Sequence, residues 1–155
     1  MPQHSAGLLL HRSGPDGTEV LIVHPGGPFW AKKDDGAWSI PKGEHGDDED
    51  PHACAVREFE EELGSPAPPA ERPDVDLGEV RLKSGKRVRA FAREGDVDAE
   101  AITSNTFEVE WPPRSGRRQT FPEVDRAGWF PLEAARTKLN PAQAELLDRL
   151  VDTLS

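Results

Sequence analysis

Residues 43–64 read GEHGDDEDPHACAVREFEEELG, and they predict a loop followed by a helix. Asp50 and Pro51 mark the helix start, because aspartate caps free backbone N–H groups and proline suits the first turn. Gly64 marks the helix end, since glycine readily adopts the left-handed conformation that closes a helix. The predicted helix therefore covers 51–64.

The predicted helix has two chemically different faces. At about 3.6 residues per turn, one face is an apolar stripe that we expect to pack in the core. That stripe consists of His52, Val56, Phe59 and Leu63. Three glutamates at positions i, i+3 and i+4 share another face: Glu58, Glu61 and Glu62. Their like charges repel one another, and they stand in the last helical turn, where the helix dipole favours cations.

Two interpretations of the glutamate face follow from these residues. It is either a solvated acidic surface that Arg57 partly neutralises, or a site for a hard cation. Clustered carboxylate oxygens suit Mg²⁺ or Mn²⁺, whose charge converts the repulsion between the glutamates into binding energy. The spacing of the glutamates alone leaves both interpretations open.

The remaining sequence predicts strands on both sides of this helix and two more helices at the end. Strands are predicted at 5–12, 19–24, 77–83, 87–93 and 106–111, and helices at 132–139 and 141–154. Turn residues in SGPDGT and KSGK join the first two and the next two strands as hairpins. This order predicts a single domain, 1–155, with one mixed sheet and helices on its faces, an α/β or α+β sandwich.

Composition limits the partners that the protein can bind. The 155 residues include 29 acidic and 19 basic residues, which gives a formal net charge of −10. This charge repels the phosphates of nucleic-acid polymers, but a small phosphorylated ligand is compatible if cations screen it. No apolar run approaches the roughly 20 residues of a membrane span, so a cytoplasmic protein without membrane contact is expected. The single cysteine, Cys54, is expected to be a small core residue.

The helix and the loop before it also match a longer pattern of fixed spacing. Gly43 is followed after five residues by Glu49, and after seven more residues by Arg57. The run REFEEELG then completes the pattern G-x5-E-x7-R-E-U-x-E-E-x-G-U, in which U is a bulky apolar residue. This segment resembles the Nudix box of the Nudix hydrolases. Ser65 departs from the last apolar position, which concerns packing behind the helix rather than metal binding.

The resemblance implies a Nudix-type α/β/α sandwich with a mixed central sheet. It also implies the hydrolysis of a nucleoside diphosphate linked to another group, with water and a divalent cofactor, Mg²⁺ or Mn²⁺. The implied metal ligands are Glu58, Glu61 and Glu62. A backbone carbonyl near 42–43 is implied as a further ligand, and Glu49 is implied to pair with Arg57. Gly64 completes the motif.

Some members of the family use a further glutamate from a later loop. The segment FPEVDRAGWF holds Glu123 six residues before Trp129, which resembles the placement of that glutamate ahead of the next strand. Glu123 is therefore a candidate for a catalytic or metal-binding role. The alternative is an ordinary exposed acid, and Glu108 and Glu110 compete for the same role. The general base stays open between Glu58 and Glu123.

The run WSIPKGE before the box resembles the W-x-x-P-K-G of diadenosine polyphosphate hydrolases and diphosphoinositol phosphohydrolases. Lys42, next to Gly43, is implied to contact a substrate phosphate, whereas Trp38 either packs beneath the loop or belongs to the core. Further candidates are the cations Lys32, Lys33, Arg89, Arg117 and Arg118 and the aromatic residues Phe29, Trp30 and Trp111. Each of these has a solvated charge or simple packing as its alternative. The chain has no tyrosine, and this counts against a dinucleoside polyphosphate hydrolase that stacks a base on tyrosine.

Two classes of function remain. The first is a metal-dependent pyrophosphohydrolase that acts on a small phosphorylated substrate, such as a nucleotide or a related diphosphate. The second is a catalytically silent Nudix-fold module that binds a nucleotide or a protein. Such modules usually lose box glutamates, so the presence of Glu58, Glu61 and Glu62 favours the enzyme. An EF-hand protein is excluded, because neither DDGAW nor GDDED has the required ligand spacing.

Overall fold

The computed structural model describes residues 4–15 and 17–154, which form eight strands and three α-helices. The strands are β1 (His4–Gly14), β2 (Gly17–Pro25), β3 (Lys42–Glu44), β4 (Val75–Arg81), β5 (Arg87–Glu94), β6 (Thr106–Glu110), β7 (Arg118–Pro122) and β8 (Val124–Pro131). The helices are α1 (Pro51–Leu63), α2 (Leu132–Lys138) and α3 (Glu145–Leu154).

Six strands form one mixed sheet, as the sequence predicts. Its order is β4-β5-β1-β2-β8, and the short strand β3 pairs with the first part of β1. Strand β1 runs parallel to β5 and antiparallel to both β2 and β3. The two predicted hairpins, β1–β2 and β4–β5, are both confirmed.

The sheet is covered by helices on both faces, which makes the fold an α/β/α sandwich. Helix α1 packs on the face that carries Leu8 and Leu10, and α2 and α3 pack on the face that carries Leu9. Because successive side chains of a strand point to opposite faces, a strand buried on both sides is a continuous apolar run. Within the described residues, no helix is both long enough and apolar enough to cross a membrane.

Helix α1 begins and ends at the predicted residues. The side chain of Asp50 accepts a hydrogen bond from Ala53 N at 3.0 Å, which satisfies one of the free N–H groups of the first turn. Gly64 ends the helix in the left-handed conformation, with φ 77°, and its N–H donates to Glu60 O.

Of the four residues in the predicted apolar stripe of α1, only Phe59 and Leu63 are buried. The buried residues of the helix are Cys54, Ala55, Phe59 and Leu63. His52 and Val56 lie at the margin, because the small Cys54 and Ala55 let the helix approach the sheet and rotate the buried face. The predicted core position of Cys54 is confirmed.

The predicted helix at 141–154 is wrong in its first turn. Residues Pro141–Gln143 form a short 3₁₀ helix, and α3 begins only at Glu145. The side chain of Gln143 accounts for this, since it accepts a hydrogen bond from Ile40 N at 3.0 Å and donates to Ser39 Oγ at 3.1 Å. A tertiary contact therefore outweighs the helical preference of this segment.

Strands β6 and β7 form a separate two-stranded sheet. We refer to β6, the turn at 111–117 and β7 together as the arm. Strand β6 agrees with the predicted strand at 106–111, whereas β7 has no predicted counterpart. Its sequence RQTFP is mostly polar and exposed, so it lacks the apolar alternation that predicts a strand.

Candidate active site

The box loop and α1 meet at strand β3, at the position where Gly43 has no side chain. A Cβ placed on Gly43 would lie 2.0 Å from Glu58 Cδ and 2.2 Å from Glu58 Oε2. Only glycine therefore leaves room for the Glu58 carboxyl group against the strand. The Glu58 side chain is accordingly well buried, with 14% of its surface exposed.

Glu62 lies one helical turn after Glu58 and also faces β3. Its Oε1 accepts a hydrogen bond from Lys42 N at 3.4 Å. Burial raises the pKa of Glu62 to about 8, against the opposing effect of Lys42, and the charges of Glu58 and Glu123 add to the rise. A carboxyl group in this environment ionises readily only when a cation lies close to it.

The pKa of Glu58 is raised as well. Burial is the main cause, the charge of Glu61 adds to it, and Arg57 opposes it. Two neighbouring carboxyl groups with raised pKa values thus share one face of α1. Perturbed carboxyl groups of this kind are typical of functional sites, because burial without a permanent partner costs stability.

Arg57 connects the box loop to the helix. Its Nε and Nη2 donate to the two carboxylate oxygens of Glu49, each at 2.9 Å, so the pair expected from the sequence is present. Its Nη1 also donates to Glu58 at 3.0 Å and to Glu61 at 3.1 Å. The hydrogen bond to Glu49 is the main cause of a raised pKa at Arg57.

The three box glutamates do not form a closed metal cage. Among residues 4–15 and 17–154, no group of three His, Cys, Asp or Glu side chains is arranged closely enough to hold an ion. Arg57 occupies part of this cluster, because its Nη1 donates to both Glu58 and Glu61, and the Glu61 side chain is 42% exposed. The donors still fit a hard cation, since all are carboxylate oxygens and Gly43 provides the space in which Glu58 reaches β3.

A cavity of about 120 Å³ opens beside these carboxyl groups, and its charged lining residues are Lys42, Glu62 and Glu123. The chain positions Glu123 through its backbone. Its N–H donates to Asn105 O at 2.8 Å, and its C=O accepts from Gly26 N at 2.9 Å. The structure therefore brings the candidate from the later loop to the same cavity as Glu62.

The two competitors of Glu123 lie on the arm instead. Glu108 pairs with Arg118 at 3.7 Å, and the carboxylate of Glu110 accepts a hydrogen bond from Gly116 N at 3.1 Å. Neither residue lines the cavity that holds Glu62.

Lys42 is the basic residue that lines this cavity beside Glu62 and Glu123. Burial lowers its pKa, the charge of Glu62 opposes that effect, and the charge of Lys86 lowers the pKa further. Lys86 comes from the β4–β5 turn and its Nζ lies 3.5 Å from Glu44. The sequence reasoning missed Lys86, although the basic turn KSGK in an acidic chain was an available signal.

Trp38 is a core residue in this structure. Its ring is 4% exposed and packs against His24 and Phe130, with ring centroids 5.3 Å and 5.1 Å away. Its Nε1 donates to Asp34 at 2.8 Å. This placement agrees with the core alternative and leaves little of Trp38 for contact with a substrate.

The other candidate cations and aromatic residues are spread over two regions. Arg89 is held by Asp76 at the far end of the sheet. The rim loop, by which we mean residues 26–33, carries Lys32 and Lys33 together with the exposed rings of Phe29 and Trp30. The remaining candidates, Trp111, Arg117 and Arg118, belong to the arm.

The geometry and the box pattern agree with a comparison to known families. The family model of the NUDIX domain matches residues 1–150 of this chain. The chain belongs to the Nudix hydrolase family. Its membership supports a pyrophosphohydrolase activity, and Nudix hydrolases generally use divalent metal ions.

Solved Nudix structures share the fold over nearly the whole chain. The Ap4A hydrolase of C. elegans in a binary complex has a TM-score of 0.65 and 18% identity, over 97% of this chain and 97% of that chain. The NUDIX domain of Shewanella oneidensis NrtR with ADP ribose has a TM-score of 0.66 and 16% identity, over 100% of this chain and 90% of that one. MutT from Methanosarcina mazei Go1 has a TM-score of 0.62 and 19% identity, over 99% and 96%. No curated protein matches the sequence.

Proposed function

We propose that this Nudix hydrolase is a Mg²⁺- or Mn²⁺-dependent pyrophosphohydrolase that cleaves a nucleoside diphosphate linked to another moiety. The whole chain, 1–155, acts as one domain in this proposal, and the cytoplasm is its expected location. The observation that carries the proposal is the pair of buried carboxyl groups, Glu58 and Glu62, that face β3 beside a cavity.

Metal binding at Glu58, Glu61 and Glu62 accounts for an arrangement that is otherwise unfavourable. Burial raises the pKa of both Glu58 and Glu62, so the metal-free site resists the ionisation that is normal for glutamate at neutral pH. A divalent cation supplies the charge that the buried carboxyl groups lack. When bound, it polarises phosphate oxygens and lowers the pKa of water.

The residues of the chain divide the remaining tasks. Lys42 neutralises a phosphate of the substrate, because it lines the cavity and is the basic residue among its charged lining residues. Arg57 and Glu49 position the box loop. A carboxylate accepts a proton from water as its oxygen bonds to phosphorus, the bridging P–O bond of the diphosphate breaks, and the second phosphate group leaves with the bridging oxygen. The two candidates for that general base are Glu58 and Glu123.

Among the residues that the structure describes, no arginine side chain binds Glu123, which lines the cavity, whereas Glu58 shares Arg57 with Glu61. Kinetics of Glu58→Gln and Glu123→Gln distinguish the two roles. Loss of the general base lowers kcat at saturating Mg²⁺, by roughly 100-fold or more, without changing the Mg²⁺ requirement. Loss of a metal ligand raises the Mg²⁺ concentration needed for half-maximal activity.

The substrate is a member of the diphosphate class that the solved relatives illustrate. One of these relatives is described as an Ap4A hydrolase, and another binds ADP ribose. Both ligands contain a diphosphate bonded to adenosine. We therefore include dinucleoside polyphosphates, ADP-ribose, nucleotide sugars, nucleoside triphosphates and diphosphoinositol phosphates among the substrates to be tested.

A turnover panel over these compounds, with Mg²⁺ or Mn²⁺ and chromatographic identification of products, tests the proposal. We expect cleavage of at least one compound by the wild type and loss of that cleavage in Glu61→Gln and Glu62→Gln. Glu60→Gln is the matched control, because Glu60 is exposed on the same helix and takes the same change of charge. Equal turnover in all four proteins would contradict the metal-site assignment.

A silent binding module is the second candidate function, and the same panel separates it from the enzyme. The wild type would then bind a nucleotide in calorimetry but cleave none of the compounds with either metal. The retained box glutamates argue against this outcome.

A further inference from the structure

The arm and the rim loop form one continuous surface. Phe107 of the arm lies over Gly27, where a Cβ would stand 2.8 Å from its ring. Farther out, Trp111 meets Phe29 edge to face, with ring centroids 5.2 Å apart. The arm is therefore held against the rim loop at two places along its length.

The two faces of the arm differ in chemistry. Side chains alternate along paired strands, so residues at every second position share a face. The inner face carries Phe107, Val109, Trp111, Arg117, Gln119 and Phe121, and its apolar members are half-buried. The bond from Trp111 N to Arg117 O, at 2.9 Å, extends this pairing to Arg117.

The outer face is polar and its charges are compensated within the arm. Glu108 pairs with Arg118, and Glu110 accepts a backbone hydrogen bond from the turn. Arg118 and Arg117 are adjacent in sequence, but alternation directs them to opposite faces.

Phe29 and Trp30 of the rim loop form an aromatic patch that is more exposed than packing requires. Phe29 is 60% exposed and Trp30 is 40% exposed, whereas every other phenylalanine and tryptophan of the chain is less exposed than these two. Contact with Gly27 explains the position of Phe107, but contact with Trp111 leaves much of Phe29 open. An exposed aromatic ring of this kind is suited to stack a flat group.

The charges around the patch are positive and available. Within residues 4–15 and 17–154, neither the Lys32 ammonium nor the Arg117 guanidinium makes a hydrogen bond or an ion pair. Lys33 lies over the ring of Trp30, with Nζ 5.1 Å from its centroid. In a protein of net charge −10, unpaired cations beside exposed aromatic rings complement an anionic ligand with a flat end group.

The base of the arm is attached to the carboxylate site. Asn105, just before β6, donates to Glu61 O at 3.3 Å and accepts from Glu123 N at 2.8 Å. Strand β7 runs from Arg118 to the residue before Glu123, so Arg117 stands about six residues, or roughly 20 Å, from Glu123 along the strand. A ligand that contacts both the carboxylates and Arg117 must be long.

We propose that the inner face of the arm and the rim loop bind the second nucleoside of a dinucleoside polyphosphate. Its base stacks on Phe29 beside Trp111, and its phosphate chain passes Arg117 and Lys32 on the way to the carboxylates. This inference rests on the proposed function, because it assigns a substrate class to the same site. A mononucleotide bound at the carboxylates lies at the base of the arm and does not extend to Arg117 at its far end.

Calorimetric binding with uncleavable ligands tests this assignment separately from turnover. The probes are methylene-bridged analogues of diadenosine tetraphosphate and of ATP, both with Mg²⁺. The variants are Phe29→Ala and Arg117→Gln, and Arg118→Gln is the matched control with the same change of charge on the outer face. Melting temperatures verify that each variant is folded.

We expect Phe29→Ala and Arg117→Gln to weaken binding of the tetraphosphate analogue roughly tenfold, within the range for loss of one base–aromatic stack or one charged contact. Binding of the ATP analogue changes less than about twofold, and Arg118→Gln changes neither ligand. Equal losses for both ligands, equal effects of Arg117→Gln and Arg118→Gln, or no binding of the tetraphosphate analogue would overturn the inference. The turnover panel decides the proposed function independently of these results.

Discussion

Replacing Glu62 by glutamine should stabilise the metal-free protein while it destroys activity. Folding raises the pKa of Glu62 from its ordinary 4.5 to about 8, mainly through burial. The folded protein therefore binds this proton more tightly than the unfolded chain does. The associated stability is complete below about pH 4.5 and is lost as the pH rises through about 8. Glutamine has the same shape, stays neutral and still accepts the hydrogen bond from Lys42 N.

The magnitude follows from linkage. At 1.36 kcal/mol for each pKa unit, the raised pKa of Glu62 lowers the free energy of unfolding by roughly 2 kcal/mol near pH 6, where only the unfolded chain ionises this group, and by roughly 4 to 5 kcal/mol near pH 9, where the folded protein ionises it as well. Both values are upper limits, because water entry and relaxation reduce the cost of a buried charge. We expect the advantage of Glu62→Gln over the wild type to grow by about 1 to 3 kcal/mol between these pH values.

Urea unfolding in the presence of a chelator measures this difference. Wild type, Glu62→Gln and the exposed control Glu60→Gln are compared near pH 6, 7.5 and 9. The control should differ from the wild type by less than about 0.5 kcal/mol at every pH. A difference between wild type and Glu62→Gln that stays constant with pH would refute the reasoning, because it would place Glu62 in contact with solvent.

Three further predictions follow from single contacts. Gly43→Ala should lower kcat at least about tenfold, because the new Cβ would stand 2.0 Å from Glu58 Cδ; wild-type kcat in a folded variant would contradict the packing. Asp74→Asn should cost roughly 2 to 4 kcal/mol near pH 7, since the Asp74 side chain is 2% exposed and bound to Arg93 at 2.7 Å. Burial would raise the pKa of Asp74, but hydrogen bonds from Arg93 and a histidine lower it overall. The difference in urea stability between the wild type and Asp74→Asn should therefore shrink as the pH falls below about 4. An undiminished difference near pH 3 would exclude the ionised pair. Cys54 should react with a thiol reagent only at the rate of unfolding, because it is buried and burial raises its pKa; rapid reaction in the native protein would contradict its core position.

The sequence predicted those features whose signals are local. Asp50, Pro51 and Gly64 bounded α1 correctly, because capping and helix termination depend on a few adjacent residues. The resemblance to the Nudix box likewise implied that Glu49 pairs with Arg57, and their carboxylate and guanidinium groups meet at 2.9 Å.

Features that depend on distant parts of the chain could not be predicted. Strand β8 contains Asp125, Arg126 and Gly128, which interrupt the apolar pattern, and pairing with β2 forms the strand regardless. The 3₁₀ turn before α3 depends on Gln143, whose amide reaches residues about 100 positions earlier in the chain. No periodicity in the sequence encodes such a contact.

The candidate site shows the same division. Spacing on the helix placed Glu58, Glu61 and Glu62 on one face, but the division of their contacts between β3 and Arg57 depends on tertiary packing. The approach of Lys86 to Glu44 depends on the pairing of β1 with both β5 and β3, which brings the β4–β5 turn to the end of β3. The local pattern predicted which side chains share a face of the helix, and the fold determines what they contact.

The central claim is that the glutamates of α1 hold a divalent cation. Titration of the protein with Mn²⁺, followed by the electron paramagnetic resonance signal of free Mn²⁺, measures this binding directly. We expect wild type and Glu60→Gln to bind Mn²⁺ with equal affinity, and Glu62→Gln to bind it at least about tenfold more weakly. Unchanged Mn²⁺ affinity in Glu62→Gln would contradict the claim.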